Sequence, residues 1–157
     1  ISIDLLLSKY VINEEIVIVI PLRSNTYTEK LYYEKYYGRN AILIRRDDAK
    51  WTTYQCMYNS EIIVTFYSTC GLEALGWGKK VLFCDFSDTD LYNYIDEGLW
   101  LFKENNYSAF KDRMDLIRKM DKDEYWEQVK DYANYLMTRS NSSPSYELIM
   151  KSLAHYL

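Results

Sequence analysis

Residues 60–87 constrain the fold more than any other part of the chain, because they follow the order strand, turn, short helix, glycine, strand. The apolar, β-prone run Ile62–Val64 predicts one strand, and Val81–Phe83 predicts the next. Between them, Ser68 is a suitable N-cap for a helix and Gly78 is a suitable residue to end it. Two strands joined by a helix in this way are typical of a parallel sheet with right-handed crossovers.

The start of this predicted helix is a candidate phosphate site. It follows the carboxyl end of a strand, which is the edge where open parallel sheets bind their ligands. A helix start also offers unpaired N–H groups and roughly half a positive charge to an anion. We therefore predict that phosphate is bound by Ser68, Thr69, Cys70 and Gly71.

Glu73 adds a carboxylate to the same helix. It follows Thr69 by four residues, so it lies on the same helix face about 6 Å further along the axis. A carboxylate there is suited to accept hydrogen bonds from the diol of a sugar attached to the phosphate. The structural alternative is that Ser68 only caps the helix, that Gly71 only allows close packing on the sheet, and that Glu73 is solvated.

This segment resembles the nucleotide-binding half of GT-B glycosyltransferases and of the related UDP-N-acetylglucosamine 2-epimerases. In those families a turn rich in Ser, Thr and Gly contacts the donor phosphates, and a Glu five residues before a Gly-containing turn holds the ribose hydroxyls. Here Ser68–Gly71 matches the first turn, and Glu73 stands five residues before Gly78. Lys80 occupies the position where those families usually carry Pro.

The resemblance implies the carboxyl-terminal, donor-binding domain of a glycosyltransferase of the bacterial surface-polysaccharide type. Such an enzyme transfers a sugar from a nucleotide-sugar, which is a substrate rather than a cofactor, to a hydroxyl of a glycan or lipid-linked acceptor. An amino-terminal domain supplies the acceptor site and the catalytic base, and no metal is required. Because only one domain fits in 157 residues, we expect a fragment of a two-domain enzyme, inactive by itself.

The order of the predicted elements indicates the α/β class. The predicted strands are Ile16–Ile20, Ala41–Ile44, Ile62–Val64, Val81–Phe83 and Leu99–Phe102. The helices between them are predicted at Thr28–Tyr37, at Lys50–Tyr58, from Thr69, and between the acidic turn Asp85–Asp90 and Gly98. This alternation predicts a Rossmann-like parallel sheet of about five strands with flanking helices, which is one half of a GT-B fold.

The carboxyl-terminal part of the chain is predicted to be helical. Apolar residues recur at helical spacing at Phe110, Met114 and Ile117, and again at Trp126, Val129, Ala133 and Leu136. Pro144 then begins a last predicted helix that carries Ile149 and Leu153. We therefore treat residues 1–157 as a single domain, with the sheet core at 12–104 and the carboxyl-terminal helices at 105–157.

Arginines after the first two strands are further candidates for ligand contacts. Arg23 follows the first strand at the predicted carboxyl edge, where a guanidinium group pairs well with phosphate. Arg45, Arg46 and Trp51 follow the second strand, on the side where GT-B domains bind the nucleobase. The alternatives are an exposed loop arginine at position 23 and a solvated charge cluster of Arg45 and Arg46 with the adjacent aspartates.

Composition excludes several other functions. A net charge of −4 without a sustained basic stripe argues against nucleic-acid binding. The aliphatic runs are too short to span a bilayer, so we expect a cytoplasmic protein, with peripheral membrane association allowed by the resemblance. Cys56, Cys70 and Cys84 lack the paired spacing of a zinc site, and no P-loop or dinucleotide-binding fingerprint occurs.

Other functions remain open alternatives. A sugar-nucleotide epimerase or a polyol-phosphate transferase uses the same half-site. A non-catalytic α/β interaction or sensor domain would use the same sheet edge without turnover. The tyrosine cluster of residues 32, 33, 36 and 37 either packs internally or exposes aromatic area to a partner domain or subunit.

Overall fold

The computed structural model describes residues 2–47, 52–66, 68–86, 95 and 97–137. Helices and parallel strands alternate along it, which confirms the predicted α/β class. The helices are α1 (Ile3–Asn13), α2 (Tyr27–Tyr37), α3 (Thr53–Asn59), α4 (Thr69–Gly76), α5 (Tyr107–Lys119) and α6 (Lys122–Leu136), with a 3₁₀ turn at Gly38–Asn40. The strands are β1 (Ile18–Pro21), β2 (Ala41–Ile44), β3 (Ile62–Thr65), β4 (Lys80–Cys84) and β5 (Leu101–Phe102).

The strands form two parallel sheets rather than the single sheet that the sequence predicts. In the first sheet β1 pairs with β2, with Ile18 opposite Ala41. In the second sheet β4 lies between β3 and β5, with Ile62 opposite Lys80 and Phe83 opposite Leu101. Five strands therefore occur close to their predicted positions, but β1 and β3 are not hydrogen-bonded to each other and the predicted sheet is divided between them.

Strand β4 is the centre of the hydrophobic core. All five of its residues are buried, and Val81, Leu82, Phe83 and Cys84 have no exposed surface. Helices α4 and α6 pack on this strand. The sequence predicts a strand at Val81–Phe83, and β4 contains it. An uninterrupted apolar run of this kind is typical of a parallel strand that is covered on both faces.

Tyr125 of α6 completes the hydrogen bonding of β4. Strand β5 has only two residues and pairs with Phe83 and Cys84, so it does not reach the start of β4. There the hydroxyl group of Tyr125 donates to the carbonyl oxygen of Val81 at 2.7 Å and accepts from the amide of Val81 at 3.1 Å. Tyr125 is fully buried, and burial raises the pKa of its hydroxyl group.

Lysine 80 has a structural role. Its ammonium group is buried and donates to the carbonyl oxygen of Met120 at 2.5 Å, just beyond the carboxyl end of α5. It also lies 3.4 Å from the carbonyl oxygen of Arg118 and 3.4 Å from Oε1 of Glu61. These contacts satisfy carbonyl groups that a helix end leaves unpaired. They account for the burial of this lysine at the start of β4.

Helix α1 is absent from the predicted elements, and all but its last two residues lie before the predicted sheet core of residues 12–104. It packs on the tyrosines of α2, where the hydroxyl groups of Tyr32 and Tyr37 donate to the carboxylate of Asp4 at 2.8 Å and 2.6 Å. Tyr37 is buried, and burial together with Asp4 raises the pKa of its hydroxyl group. Tyr37 and Tyr32 thus use their hydroxyl groups for internal contacts, as the packing alternative for the tyrosine cluster predicts.

The carboxyl end of α1 packs on α5. The hydroxyl group of Tyr10 donates to Oδ1 of Asp115 at 2.7 Å, and burial raises the pKa of Tyr10 to about 12. Lys111 bridges the same helices, with its ammonium group 2.6 Å from Oε1 of Glu14 and 2.8 Å from Oδ2 of Asp115. Since α2 follows β1 and α5 follows β5, α1 connects the two sheets.

Helices α5 and α6 confirm the two predicted apolar repeats as packed faces. Phe110, Met114, Ile117, Val129 and Ala133 are buried, and Trp126 and Leu136 pack partly buried against the core. No helix in the described part of the chain is long and apolar enough to cross a membrane. The predicted last helix with Ile149 and Leu153 and most of the segment between Asp85–Asp90 and Gly98 lie outside the described residues.

Candidate functional site

A cleft of about 600 Å³ lies between β1 and β3. Successive residues of both strands line it, together with residues of α1, α3 and α5. Pro21, at the carboxyl end of β1, and Ser68, after the carboxyl end of β3, both belong to its wall. The wall of the cleft therefore includes the carboxyl ends of both strands, where the sequence predicts a ligand.

The Ser68–Gly71 turn forms part of this edge. Ser68 caps α4, and its hydroxyl oxygen accepts from the amide of Cys70 at 3.3 Å. The amide of Gly71 donates to the carbonyl oxygen of Ser68 at 3.0 Å. Thr69 is exposed, and its amide has no hydrogen-bond partner in the part of the chain that the structure describes. Of the amides of Thr69, Cys70 and Gly71, only that of Thr69 is therefore available to a ligand without rearrangement.

Gly71 allows α4 to pack closely on the sheet. A Cβ atom at this position would lie 2.6 Å from a ring carbon of Phe83 and 2.6 Å from the methyl group of Thr65. Neither distance is compatible with a side chain. The packing alternative from the sequence therefore accounts for the glycine, while Ser68, Cys70 and Gly71 still line the cleft together.

Glu73 lies on a different side of α4. It is half-buried, and it is absent from the lining of the cleft. Its carboxylate lies near the hydroxyl group of Tyr54 in α3 and raises the pKa of that hydroxyl group. The ring of Tyr54 in turn contacts Trp77, with the centroids 5.7 Å apart. Glu73 therefore lies outside the lining of the cleft, and its contact with ribose stays a prediction.

Arg23 is exposed in the loop after β1, at the same sheet edge as Ser68. Glu29 organises this loop: its carboxylate accepts from the amide of Arg23 at 2.7 Å and from the amide of Ser24 at 2.8 Å. Burial opposes ionisation of Glu29, but hydrogen bonds from Ser24 and Arg23 hold its pKa below the usual value. Sequence reasoning missed Glu29, although Thr26 followed three residues later by Glu29 is the signature of a capping box.

The two arginines after β2 hold loops in place. Arg45 makes a bidentate ion pair with Asp47, at 2.9 Å and 2.8 Å, as the charge-cluster alternative predicts. Arg46 donates to the carbonyl oxygen of Arg23 at 3.1 Å and so joins the loops after β1 and β2. The proposed contact of these arginines with a nucleobase stays a prediction, and Trp51 lies outside the described residues.

The remaining chemistry of the described residues is limited. Within them, no three His, Cys, Asp or Glu side chains lie close enough together to hold a metal ion. Cys84 is buried, and burial raises the pKa of its thiol, which lowers its reactivity. Comparisons with protein-family models, with curated proteins and with solved structures found no match to this chain. Its site is therefore interpreted from its own residues.

Proposed function

We propose that this chain is the nucleotide-sugar donor-binding domain of a GT-B glycosyltransferase that acts in surface polysaccharide biosynthesis. One observation carries the proposal: the Ser68–Gly71 turn follows the carboxyl end of β3 and lines the cleft beside β1. In doubly wound folds, ligands bind outside the carboxyl ends of the strands, where neighbouring strands lead to helices on opposite faces. A helix start at that point favours a diphosphate.

The inferred mechanism is stabilisation of the leaving nucleotide phosphate. The free amide of Thr69 and the positive end of the α4 dipole would face the phosphate, and the exposed guanidinium group of Arg23 would assist from the loop after β1. A hydroxyl group of the glycan or lipid-linked acceptor then attacks the anomeric carbon. The catalytic base belongs to an amino-terminal acceptor domain, whose closure over the donor would orient the two reactants.

Glu73 would hold the ribose in this scheme. A carboxylate has about four acceptor positions, so Glu73 would have room for a diol beside the neighbouring hydroxyl group of Tyr54. The donor would then extend from the Ser68–Gly71 turn over the first turns of α4 towards α3. This placement leaves the interior of the cleft free of the nucleotide.

A nucleotide panel in thermal-shift titration tests the proposal. A ligand at 100 times its dissociation constant stabilises the folded state by roughly 2.7 kcal/mol, which gives a clear shift of the midpoint. We expect a nucleoside diphosphate to shift the midpoint and the matching nucleoside to shift it much less. If no nucleotide produces a shift at millimolar concentration, the proposal is wrong.

Cap variants separate phosphate binding from helix stability. Combined Ser68→Ala and Thr69→Ala remove two hydroxyl groups that would address the phosphate beside the Thr69 amide, so diphosphate binding should weaken at least tenfold. Stability should fall by about 1 kcal/mol, the usual effect of cap loss. Asn106→Ala is the matched control, because Asn106 caps α5 by accepting from the amide of Ala109. It should lower stability similarly and leave binding unchanged. Equal losses of nucleoside and nucleotide affinity would contradict a phosphate role.

Glu73→Gln tests the ribose contact. It keeps the shape of the side chain but removes charge-assisted acceptance, so ribonucleotide affinity should fall by about tenfold or more. The 2′-deoxy analogue should bind the unchanged protein weakly and lose little more on mutation, because both changes remove the same interaction. Additive losses would assign Glu73 to its contact with Tyr54 alone.

A non-catalytic interaction domain is the second candidate function. Three neighbouring aromatic residues on the surface of α3 and α4 favour it: Tyr54, Tyr58 and Trp77 are 48%, 73% and 44% exposed. Exposed aromatic clusters of this kind often mark binding surfaces. Failure of every nucleotide together with concentration-dependent self-association, lost in Tyr58→Ser, would favour this function. An epimerase or polyol-phosphate transferase would share the donor site and would be distinguished by its products.

A further inference from the structure

The cleft between the two sheets is bounded by two unpaired strand edges. Strand β1 is paired on one side only, with β2, and β3 is paired on one side only, with β4. Residues 16–19 and 61–65 line the cleft without interruption. Because successive side chains of a strand point to opposite faces, an uninterrupted series marks an edge rather than a face. In the described part of the chain, no backbone hydrogen bond joins these two edges.

Neither water nor an apolar ligand in the cleft would both pair the backbone groups of the strand edges and cover the apolar side chains. The cleft, of about 600 Å³, is open to solvent, so its simplest content is water. Water would pair with the strand edges but would leave Ile18, Ile62 and Val64 partly exposed, as they are here. An apolar ligand would cover those side chains and leave N–H and C=O groups unpaired. Direct pairing of the two edges satisfies both.

The connections of the chain are compatible with such pairing. The strands are parallel within each sheet, and parallel pairing of β1 with β3 would give the strand order β2-β1-β3-β4-β5, a common doubly wound order. Helix α1 holds the sheets together, because Asp4 bonds to α2 and Tyr10 bonds to α5. The edges can therefore approach without any change in topology.

We propose that the structure is the open state of a domain that closes by direct pairing of β1 with β3. Closure joins the two sheets into one five-stranded parallel sheet, with α1 as a strap between the halves. It also moves the Pro21 end of β1 towards Ser68, and so sets the distance between the loop of Arg23 and the start of α4. The proposal is independent of any nucleotide, because the strand edges themselves drive the pairing.

Amide hydrogen exchange in the unmodified protein, followed residue by residue by NMR, tests the closure. In a parallel strand alternate amides point to opposite neighbours, so only every second amide of Ile62–Thr65 is bonded to β4 in the open state. If the sheets close, both alternate sets should be protected at least about 100-fold, as is usual for paired strands. Protection of one set with unprotected exchange of the other overturns the proposal.

Cysteine pairs provide an independent measurement. In a background of Cys56→Ala and Cys70→Ser, Val19→Cys is combined in turn with Ile62→Cys, Ile63→Cys and Val64→Cys to cover the registers that pairing allows. Adjacent strands bring Cα atoms within disulfide range, whereas atoms more than about 7 Å apart cannot be bridged. At least one pair should oxidise rapidly. Buried Cys84 is left in place.

Two control pairs calibrate the cross-linking. Val19 and Ile42 are direct neighbours in the β1–β2 pair, so Val19→Cys with Ile42→Cys should link in either state. Ile42→Cys with Ile63→Cys spans two strand separations in the closed sheet, about 10 Å, and should not link. Linking of the Val19–Ile42 pair without any link from Val19 to β3 overturns the closure. If the Val19–Ile42 pair itself fails to link, the exchange measurement on the unmodified protein decides.

Discussion

The two sheets are built from equally apolar strands, yet they are buried to different degrees. Every residue of β4 in the three-stranded sheet is buried, whereas every residue of β1 in the two-stranded sheet is only half-buried. On β2, Ile42 is 50% exposed. Composition does not explain the difference, because β-branched and aliphatic residues dominate both regions.

The two strands also differ in the pairing of their edges. Along β4, one edge pairs with β3, and on the other edge the amide of Phe83 donates to the carbonyl oxygen of Trp100 at 2.7 Å. At the start of β4, which β5 does not reach, the hydroxyl group of Tyr125 forms hydrogen bonds with the amide and the carbonyl oxygen of Val81. Strand β1 has one paired edge and borders a cleft on the other. Within the described residues, both edges of β4 therefore have hydrogen-bond partners, whereas only one edge of β1 has them.

The largest expected effect compares one aliphatic residue from each sheet. Leu82→Ala on β4 should lower the free energy of unfolding by about 2–5 kcal/mol, because it removes methyl groups from a fully buried position and leaves a cavity. Ile42→Ala on β2 should lower it by only about 1 kcal/mol, since half of that side chain is already exposed. Urea denaturation of both variants checks the comparison. Equal effects would contradict the difference in burial.

The next effect concerns the hydroxyl group that completes the edge of β4. Tyr125→Phe leaves the buried N–H and C=O groups of Val81 without this partner and should destabilise the fold by about 1–3 kcal/mol. Tyr58→Phe is the control, because Tyr58 is 73% exposed. This substitution should change the free energy of unfolding by no more than about 0.5 kcal/mol. Thermal or urea unfolding measures both. A negligible effect at Tyr125 would mean that edge pairing matters less than apolar burial.

The smallest effect concerns the strap between the sheets and depends on pH. The ammonium group of Lys111, and then the hydroxyl group of Tyr10, hold the pKa of Asp115 below its usual value. A lowered folded-state pKa contributes stability above the unfolded value of about 4 and loses it as the pH falls through the folded value. Asp115→Asn should therefore be destabilising by about 1 kcal/mol at pH 7, and the difference from the unchanged protein should shrink below about pH 4.

Asp112→Asn is the control for this pH dependence, because Asp112 is exposed on the same helix. Its stability should follow that of the unchanged protein at every pH. Urea unfolding at several pH values provides the measurement. If the difference in stability between Asp115→Asn and the unchanged protein stays constant down to pH 2, the carboxylate charge does not stabilise the contact of α1 with α5.

Local signals predicted most of the elements. Ala41–Ile44 has the predicted bounds, and α4 begins at the predicted Thr69 with Ser68 as its cap. These features depend on neighbours in sequence, which a single chain displays. Helix α1 escaped prediction because the run of three leucines at residues 5–7 obscures a helical face that includes Tyr10 and Val11.

Long-range pairing could not be predicted in the same way. The separation of β1 from β3 depends on which edges meet in space, and no spacing in the sequence records that. The residues of the site show the same difference. Ser68 and Gly71 belong to one turn, so the sequence places them together, whereas the contact of Glu73 with Tyr54 joins two helices and has no local signal. Tyr125 reaches Val81 across 44 positions of the chain and has no local signature.

The contact of α1 with α5 also has a consequence for the order of folding. Tyr10 and Asp115 are 105 positions apart, so their hydrogen bond closes a loop that contains most of the described chain. Closing such a loop is entropically unfavourable until the intervening elements have formed, which makes contacts of this kind late events. The strap is therefore expected to dock after the transition state. Weakening it would accelerate unfolding while leaving the folding rate nearly unchanged, so α1 governs how long the native state persists rather than how fast it is reached.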